Sequence, residues 1–152
     1  MSYSYNRNLG VIHIMEGFKN SKSDSFALIH IAECFARMGS DVSILHPIHY
    51  KSKDYKTVFS GLIGTKYERK CPDLKIDAHF YEYESYVRPW NKRKLSNMIS
   101  DGLRQSSRII IDNRDGTSTR QILRSIRSRL NLKAPIEEVW VYNGEFVVRV
   151  YP

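Results

Sequence analysis

The sequence predicts an α/β protein, a mixed β-sheet flanked by helices. Stretches with apolar residues at helical spacing alternate with short β-branched runs, in the order β, α, β, α, ββ, α, β, α, ββ. The run Arg108–Asp112 (RIIID) is apolar at its three central positions, as a strand covered on both faces should be. Asn143-Gly144, between two alternating segments, is a strong short-range hairpin signal. A chain of 152 residues fits one domain, residues 1–152. At that size it buries about two-thirds of its unfolded surface.

Each element follows from local pattern. Residues 1–8 are polar and tyrosine-rich and are expected to be flexible. Residues 9–15 (LGVIHIM) read as a strand. Polar residues 21–25 supply a cap for a helix over 25–38, with Ala27, Ile31, Phe35 and Met38 inward and Leu28 and Ala32 beside them. Gly39 then offers the positive φ of a helix C-terminus. Residues 41–45 (DVSIL) form a strand that stops at Pro47. A short helix over 53–63 would set Tyr55, Val58, Phe59 and Leu62 at helical spacing. Residues 73–87 form a hairpin turning at Asp77-Ala78, followed by an amphipathic helix over 90–103. After the 108–112 strand come a helix over 117–132 and a last hairpin, 138–142 with 146–151.

Composition narrows the function classes. Hydrophobic residues at 41% and charged residues at 26% fit a globular core and exclude wholesale disorder. No apolar run approaches the roughly 18–20 residues that span a bilayer, and the N-terminus lacks the order of a signal peptide, so a cytoplasmic chain with no membrane partner is expected. Cys34 and Cys71, the only cysteines, lack zinc-ligand spacing. The net charge of +8 favours a polyanionic partner, nucleic acid first among them.

The chemistry concentrates in residues 71–90 (CPDLKIDAHFYEYESYVRPW). Side chains alternate along a strand, so Glu82 and Glu84 share one face and Tyr81 and Tyr83 the other. With the turn at Asp77-Ala78, Ile76 faces His79, and counting outward puts Asp73 opposite Glu82. Directly opposed side chains stand with Cβ atoms about 4.5–5.5 Å apart. Asp73, Glu82 and Glu84 would then converge. Like charges that close need a proton or cation between them, and oxygen ligands suit Mg²⁺ or Mn²⁺. The competing reading is a water-facing hairpin whose acids are screened.

Pro72-Asp73 followed by Glu82-Tyr83-Glu84 resembles the signature of the PD-(D/E)XK nuclease superfamily. From Ala27 to Pro152 the layout is similar to the C-terminal tRNA-nuclease domains of contact-dependent growth-inhibition (CdiA-type) toxins. The shared order is a helix ending at Gly and a strand (ALIHIAECFARMGSDVSIL), an acidic hairpin (PDLKIDAHFYEYES) and a helix with an apolar strand (LSNMISDGLRQSSRIIID). A terminal hairpin (EEVWVYNGEFVVRVYP) completes it. The resemblance implies a restriction-endonuclease-like core and a metal-dependent ribonuclease, with tRNA the narrower substrate. It implies Asp73, Glu82 and Glu84 as metal ligands and catalytic residues. Glu33 is the candidate acid of the first helix, with His30 the alternative there, and Lys92, Arg93 or Lys94 would offset charge on the transition state. A cognate immunity or inhibitor protein is a further implied partner. Glu84 stands where the signature carries lysine, and some nucleases with this signature are similar in carrying glutamate there.

Basic and aromatic residues gather around the hairpin. Arg88, Trp90, Lys92, Arg93 and Lys94 follow it directly, and a helix start attracts anions. Arg120, Arg124 and Arg127 recur at i, i+4 and i+7 and make one stripe of the later helix. Such stripes are usually solvated faces, but here they accompany aromatic and acidic groups suited to RNA. The alternative function is a non-catalytic nucleic-acid-binding or accessory protein with a degenerate nuclease fold; metal-dependent cleavage separates the two. If the stripe contacts phosphates, neutralising Arg120, Arg124 and Arg127 weakens RNA binding across sequences. The log–log salt slope then falls by about 0.7–0.9 per lost contact, and an unchanged slope assigns the stripe to solvent.

Overall fold

The computed structural model describes residues 2–4, 9–18, 23–85, 90–114 and 116–152. Among them the strands are β1 (Ser2–Ser4), β2 (Val11–Ile14), β3 (Val42–Ile44), β4 (Leu74–Ile76), β5 (His79–Glu84), β6 (Arg108–Asp112), β7 (Glu138–Tyr142) and β8 (Val147–Tyr151). The α-helices are α1 (Ser23–Arg37), α2 (Lys53–Val58), α3 (Lys92–Leu103) and α4 (Thr119–Asn131). The strands form one eight-stranded sheet whose spatial order is the chain order. The sheet is mixed. β2 with β3, β5 with β6 and β6 with β7 run parallel, and the other neighbours run antiparallel. Each parallel pair is joined through one helix: α1, α3 and α4 in turn.

Helices cover both faces. α1 lies on one, packing Ala27, Ile31 and Phe35 against Val42, Ile44, Leu74, Tyr81, Ile110 and Tyr142. On the other, α3 and α4 cover Ile109, Ile111 and Val139 with Leu95, Ile99, Ile122 and Ile126. A smaller cluster under α2 and the 3-10 turn Ser60–Leu62 joins Tyr55, Phe59 and Leu62 to Leu45 and Phe80. Alternation along β6 accounts for the division. Ile110 points to α1 while Ile109 and Ile111 point to α3 and α4, and all three are fully buried.

The helix over 53–63 is shorter than its pattern suggested, because the chain tightens into the 3-10 turn after Val58. Met38, expected inside, is exposed, since α1 ends at Arg37 and the chain turns away at Gly39 (φ 94°). Of residues 1–8, expected to be flexible, Ser2–Ser4 pair antiparallel with Val11–His13 as an edge strand, and residues 1 and 5–8 lie outside the described residues. The last turn spans residues 143–146, with Asn143 Oδ1 accepting from the Glu145 and Phe146 amides at 2.9 Å. Backbone packs closely at Gly10, where a Cβ would lie 1.7 Å from the Ser40 carbonyl oxygen.

Ile110→Asp places an unpaired charge at the centre of the sheet. It should cost about 3–5 kcal/mol in denaturant unfolding, whereas Ile110→Val should cost about 0.5–1.5 kcal/mol. An Asp variant as stable as the parent is incompatible with a buried β6.

Candidate functional site

The parallel strands all end at one edge of the sheet, and α1, α3 and α4 begin there. In open α/β sheets this carboxyl edge is where ligands bind. The acidic hairpin delivers its carboxylates to it. Asp77 (φ 53°) takes the left-handed turn position, so Ala78 does not need to be glycine. Ile76 pairs with His79 and Leu74 with Tyr81. One step outward, Asp73 stands opposite Glu82, as the alternation predicts.

Asp73 closes the ladder with its side chain. Its Oδ2 accepts from the Tyr83 amide at 3.0 Å, and its carboxyl hydrogen-bonds that of Glu82. Both groups are half-buried and both titrate above the ordinary carboxylate range. Burial is the main cause for Asp73, with the charge of Asp24 adding to it and the bonds from Tyr83 and Glu82 offsetting part. For Glu82, burial again leads, followed by the charges of Asp73 and Glu84. Two acids in contact hold a proton between them until a cation replaces it. Glu82 Oε2 is buried without a hydrogen-bond partner.

Glu84 lies on the same face as Glu82 but is turned into α3. A Cβ at Gly102 would come within 2.8 Å of its Cγ. Burial, then the charges of Asp73 and Asp101, push its carboxyl up to about 7. The expected three-carboxylate cluster is therefore not formed. Among the described residues no three His, Cys, Asp or Glu side chains are grouped to hold a metal ion. What remains is an opposed pair with one oxygen lacking a partner. That donor set fits Mg²⁺ or Mn²⁺, because small hard cations commonly use one or two protein carboxylates and complete their shell with water and substrate phosphate.

Glu33 is not part of this group. It faces Arg37 at 3.7 Å, and its charge is felt by Cys34 and Tyr142. The N-terminal turn of α1, nine residues earlier, is what reaches the carboxyl edge, so the acid facing Asp73 is Asp24. Asp24 and Asp73 line one cavity of about 380 Å³ together with His46, Phe18 and Leu28. His30, the other candidate on α1, bonds through Nδ1 to the Tyr142 hydroxyl at 2.6 Å.

The basic candidates are divided. Lys92 and Arg93 are exposed in the first turn of α3, whose N-cap Asn91 accepts from the Lys94 amide at 2.8 Å. Lys94 is half-buried. Trp90 packs on the α3–α4 core with its Nε1 buried, which removes it as a freely stacking platform. Arg120, Arg124 and Arg127 are exposed along α4. Arg88 lies outside the described residues.

Two other buried acids behave differently. Asp112, at the end of β6, accepts from the Tyr83 hydroxyl at 2.5 Å and pairs with Arg114 at 2.7 Å. Glu138 accepts from Tyr81 at 2.8 Å and Trp140 at 2.7 Å and pairs with Arg108 at 3.1 Å. Burial raises its carboxyl, but these bonds outweigh burial and hold it below the usual range. Sequence reasoning missed Asp24 and the Tyr83–Asp112–Arg114 group. The available signals were an acid opening a helix and an acid closing an otherwise apolar strand. No family model, no curated protein and no solved structure matches the chain.

The raised carboxyls set a pH dependence. Folded Glu84 holds its proton more tightly than the ordinary value of 4.5 allows, so its contribution is complete below 4.5 and is lost as pH rises through about 7. Asp73 and Glu82 act in the same direction. In chelator the melting temperature should fall across that window, and Glu84→Gln should reduce the fall. A melting temperature that climbs over the same range would contradict the arrangement.

Proposed function

We propose that the chain is a metal-dependent nuclease acting on RNA, with tRNA the narrower substrate, and that its core is restriction-endonuclease-like. The observation that carries this reading is Asp73 opposite Glu82 at the carboxyl edge, a half-buried acid pair with one oxygen unsatisfied. The order α1, β3, β4, β5, α3, β6, with α2 and a 3-10 turn inserted between β3 and β4, supports it, because it sets a helix, a strand, the acidic hairpin, a basic helix and an apolar strand in the sequence of the resembled nucleases. Substrate class rests on that resemblance and on charge, since a fold alone fixes neither.

Asp73 and Glu82 would hold Mg²⁺ or Mn²⁺, which when bound supplies Lewis-acid polarisation of a phosphodiester and an acidified water. Asp73 is oriented for this by the Tyr83 amide. Glu84, near neutrality in its titration, is suited to taking or giving a proton beside the pair. Lys92, Arg93 and the α4 arginines offer charge that would draw the RNA backbone toward this side. A second reading, a non-catalytic nucleic-acid-binding protein with a degenerate site, is favoured by Glu84 in place of lysine and by the absence of a third clustered ligand among the described residues.

Purified protein incubated with total tRNA should yield discrete fragments with Mg²⁺ or Mn²⁺ and none in chelator. The cation should also raise the melting temperature, by about 2.7 kcal/mol of stability at a hundredfold excess over Kd. Asp73→Asn and Glu82→Gln should abolish both effects while leaving metal-free stability equal or greater. Binding without cleavage under either metal selects the second reading. Cleavage that survives both substitutions removes the carboxylate pair from the mechanism.

A further inference from the structure

Three short strands share a pattern whose polar member has no role in the reading above. β2 carries Ile12-His13-Ile14, β3 Val42-Ser43-Ile44 and β4 Leu74-Lys75-Ile76. In each, the apolar residues turn toward α1 and the central polar residue toward the opposite face. The register pairs His13 with Ser43 and Ser43 with Lys75, so the three fall in one row across the sheet. α3 and α4 cover the β5–β7 part of that face, and α2 covers Leu45 and Phe80. The row is left at a groove of about 550 Å³, which Thr57 of α2 also lines.

We propose that this groove binds a phosphate ester of the kind carried by a nucleotide. Its polar lining is an ammonium (Lys75), an imidazole (His13) and two hydroxyls (Ser43 and Thr57), all able to donate to phosphate oxygens, and among the described residues no carboxylate lines it. Lys75 Nζ lies 5.5 Å from the centroid of the Phe80 ring, which holds the ammonium over the sheet. Met15, Leu45 and Val58 form the apolar part of the wall, suited to a sugar or base. Charge complementarity selects the ligand: a groove lined by cation and hydroxyl donors, in a chain of net charge +8, takes an anion. The phosphate could belong to a free mononucleotide or to an RNA strand. The second source has a geometric basis, because Asp73, just before β4, and Lys75 within it are two residues apart, about 7 Å in extended chain. A strand anchored in the groove would present a nearby phosphate to the acid pair.

Phosphate binding in the groove needs neither metal nor cleavage, so its test uses the full chain in chelator. AMP, inorganic phosphate and a hexaribonucleotide are titrated separately and followed by calorimetry and by backbone amide shifts. Saturable shifts at His13, Ser43, Thr57 and Lys75 are expected with AMP or with the hexamer. Lys75→Met should weaken binding at least tenfold and Lys75→Arg should largely restore it. Binding of AMP identifies a mononucleotide site, whereas binding of the hexamer alone identifies an RNA subsite. Should Lys75→Met fail to fold, Ser43→Val and the wild-type shift map decide in its place. Shifts that map elsewhere, affinities unchanged by Lys75→Met or Ser43→Val, or no binding of any probe overturn the proposal. Cleavage of tRNA with an inert groove leaves the nuclease reading intact, and a binding groove in a protein that never cleaves leaves this one intact.

Discussion

The carboxyl edge depends on the register of the β4–β5 hairpin, and two aspartates at the opposite end of the sheet hold that register. Asp77, in the turn, donates its amide to the Asp41 carbonyl at 2.8 Å, and its Oδ1 accepts from the Asp41 amide at 3.0 Å. Asp41 in turn accepts from the Val11 amide at 2.9 Å. The hairpin is thereby tied to β3 and, through it, to β2. Strand side chains repeat every second residue, so a slip of one position would send Glu82 and Glu84 into the apolar face under α1 and bring Tyr81 and Tyr83 out. The apolar partners of Leu74 and Ile76 beneath α1 make such a slip costly. The position of Asp73 against Glu82 is thus a consequence of core packing and a clamped turn together.

Charge is handled in two ways within one sheet. Asp112 and Glu138 are buried, and each receives an arginine and a tyrosine hydroxyl, so each has charged and polar partners in place. Asp73 and Glu82 are less buried but lean on each other, and among the described residues no lysine or arginine is paired with them. A protein can keep such an arrangement at neutral pH by retaining a proton or by taking up a positive ion. The first two acids read as structural on this contrast, and the second two are the pair that the proposed metal would occupy.

Much of the fold was legible because its signals are local. Strict alternation in the hairpin, the unbroken apolar centre of Arg108–Asp112 and helical spacing from Leu95 to Leu103 each determine an element without help from distant residues. The opposition of Asp73 and Glu82 was legible for the same reason, since a two-residue turn fixes all pairs outward from it. Features set by tertiary packing were not. The tilt of Glu84 into α3 depends on Gly102, and the choice of Asp24 over Glu33 depends on which end of α1 reaches the edge. The triad of Tyr83, Asp112 and Arg114 joins two strands and a loop with no common motif. Met38 shows the reverse error, a helical pattern carried one residue past the end of the helix.

A sheet whose spatial order repeats the chain order has a consequence for how the molecule assembles. Each strand docks on the one made just before it, the longest connection being residues 45–73 with α2 and the 3-10 turn, so no early strand waits for a late one to find its place. Ladder growth can therefore proceed step by step along the chain, with modest loop entropy at each addition. α1 is the exception. Besides β2 and β3 it touches β8, His30 reaches Tyr142, and Cys34 reaches the Glu145 carbonyl at 3.7 Å. Those contacts join the early helix to the last hairpin and complete only when the whole sheet is in place. The C-terminal half of α1 thus acts as the latch of the folding reaction, and an intermediate lacking the final hairpin would expose that apolar surface to aggregation.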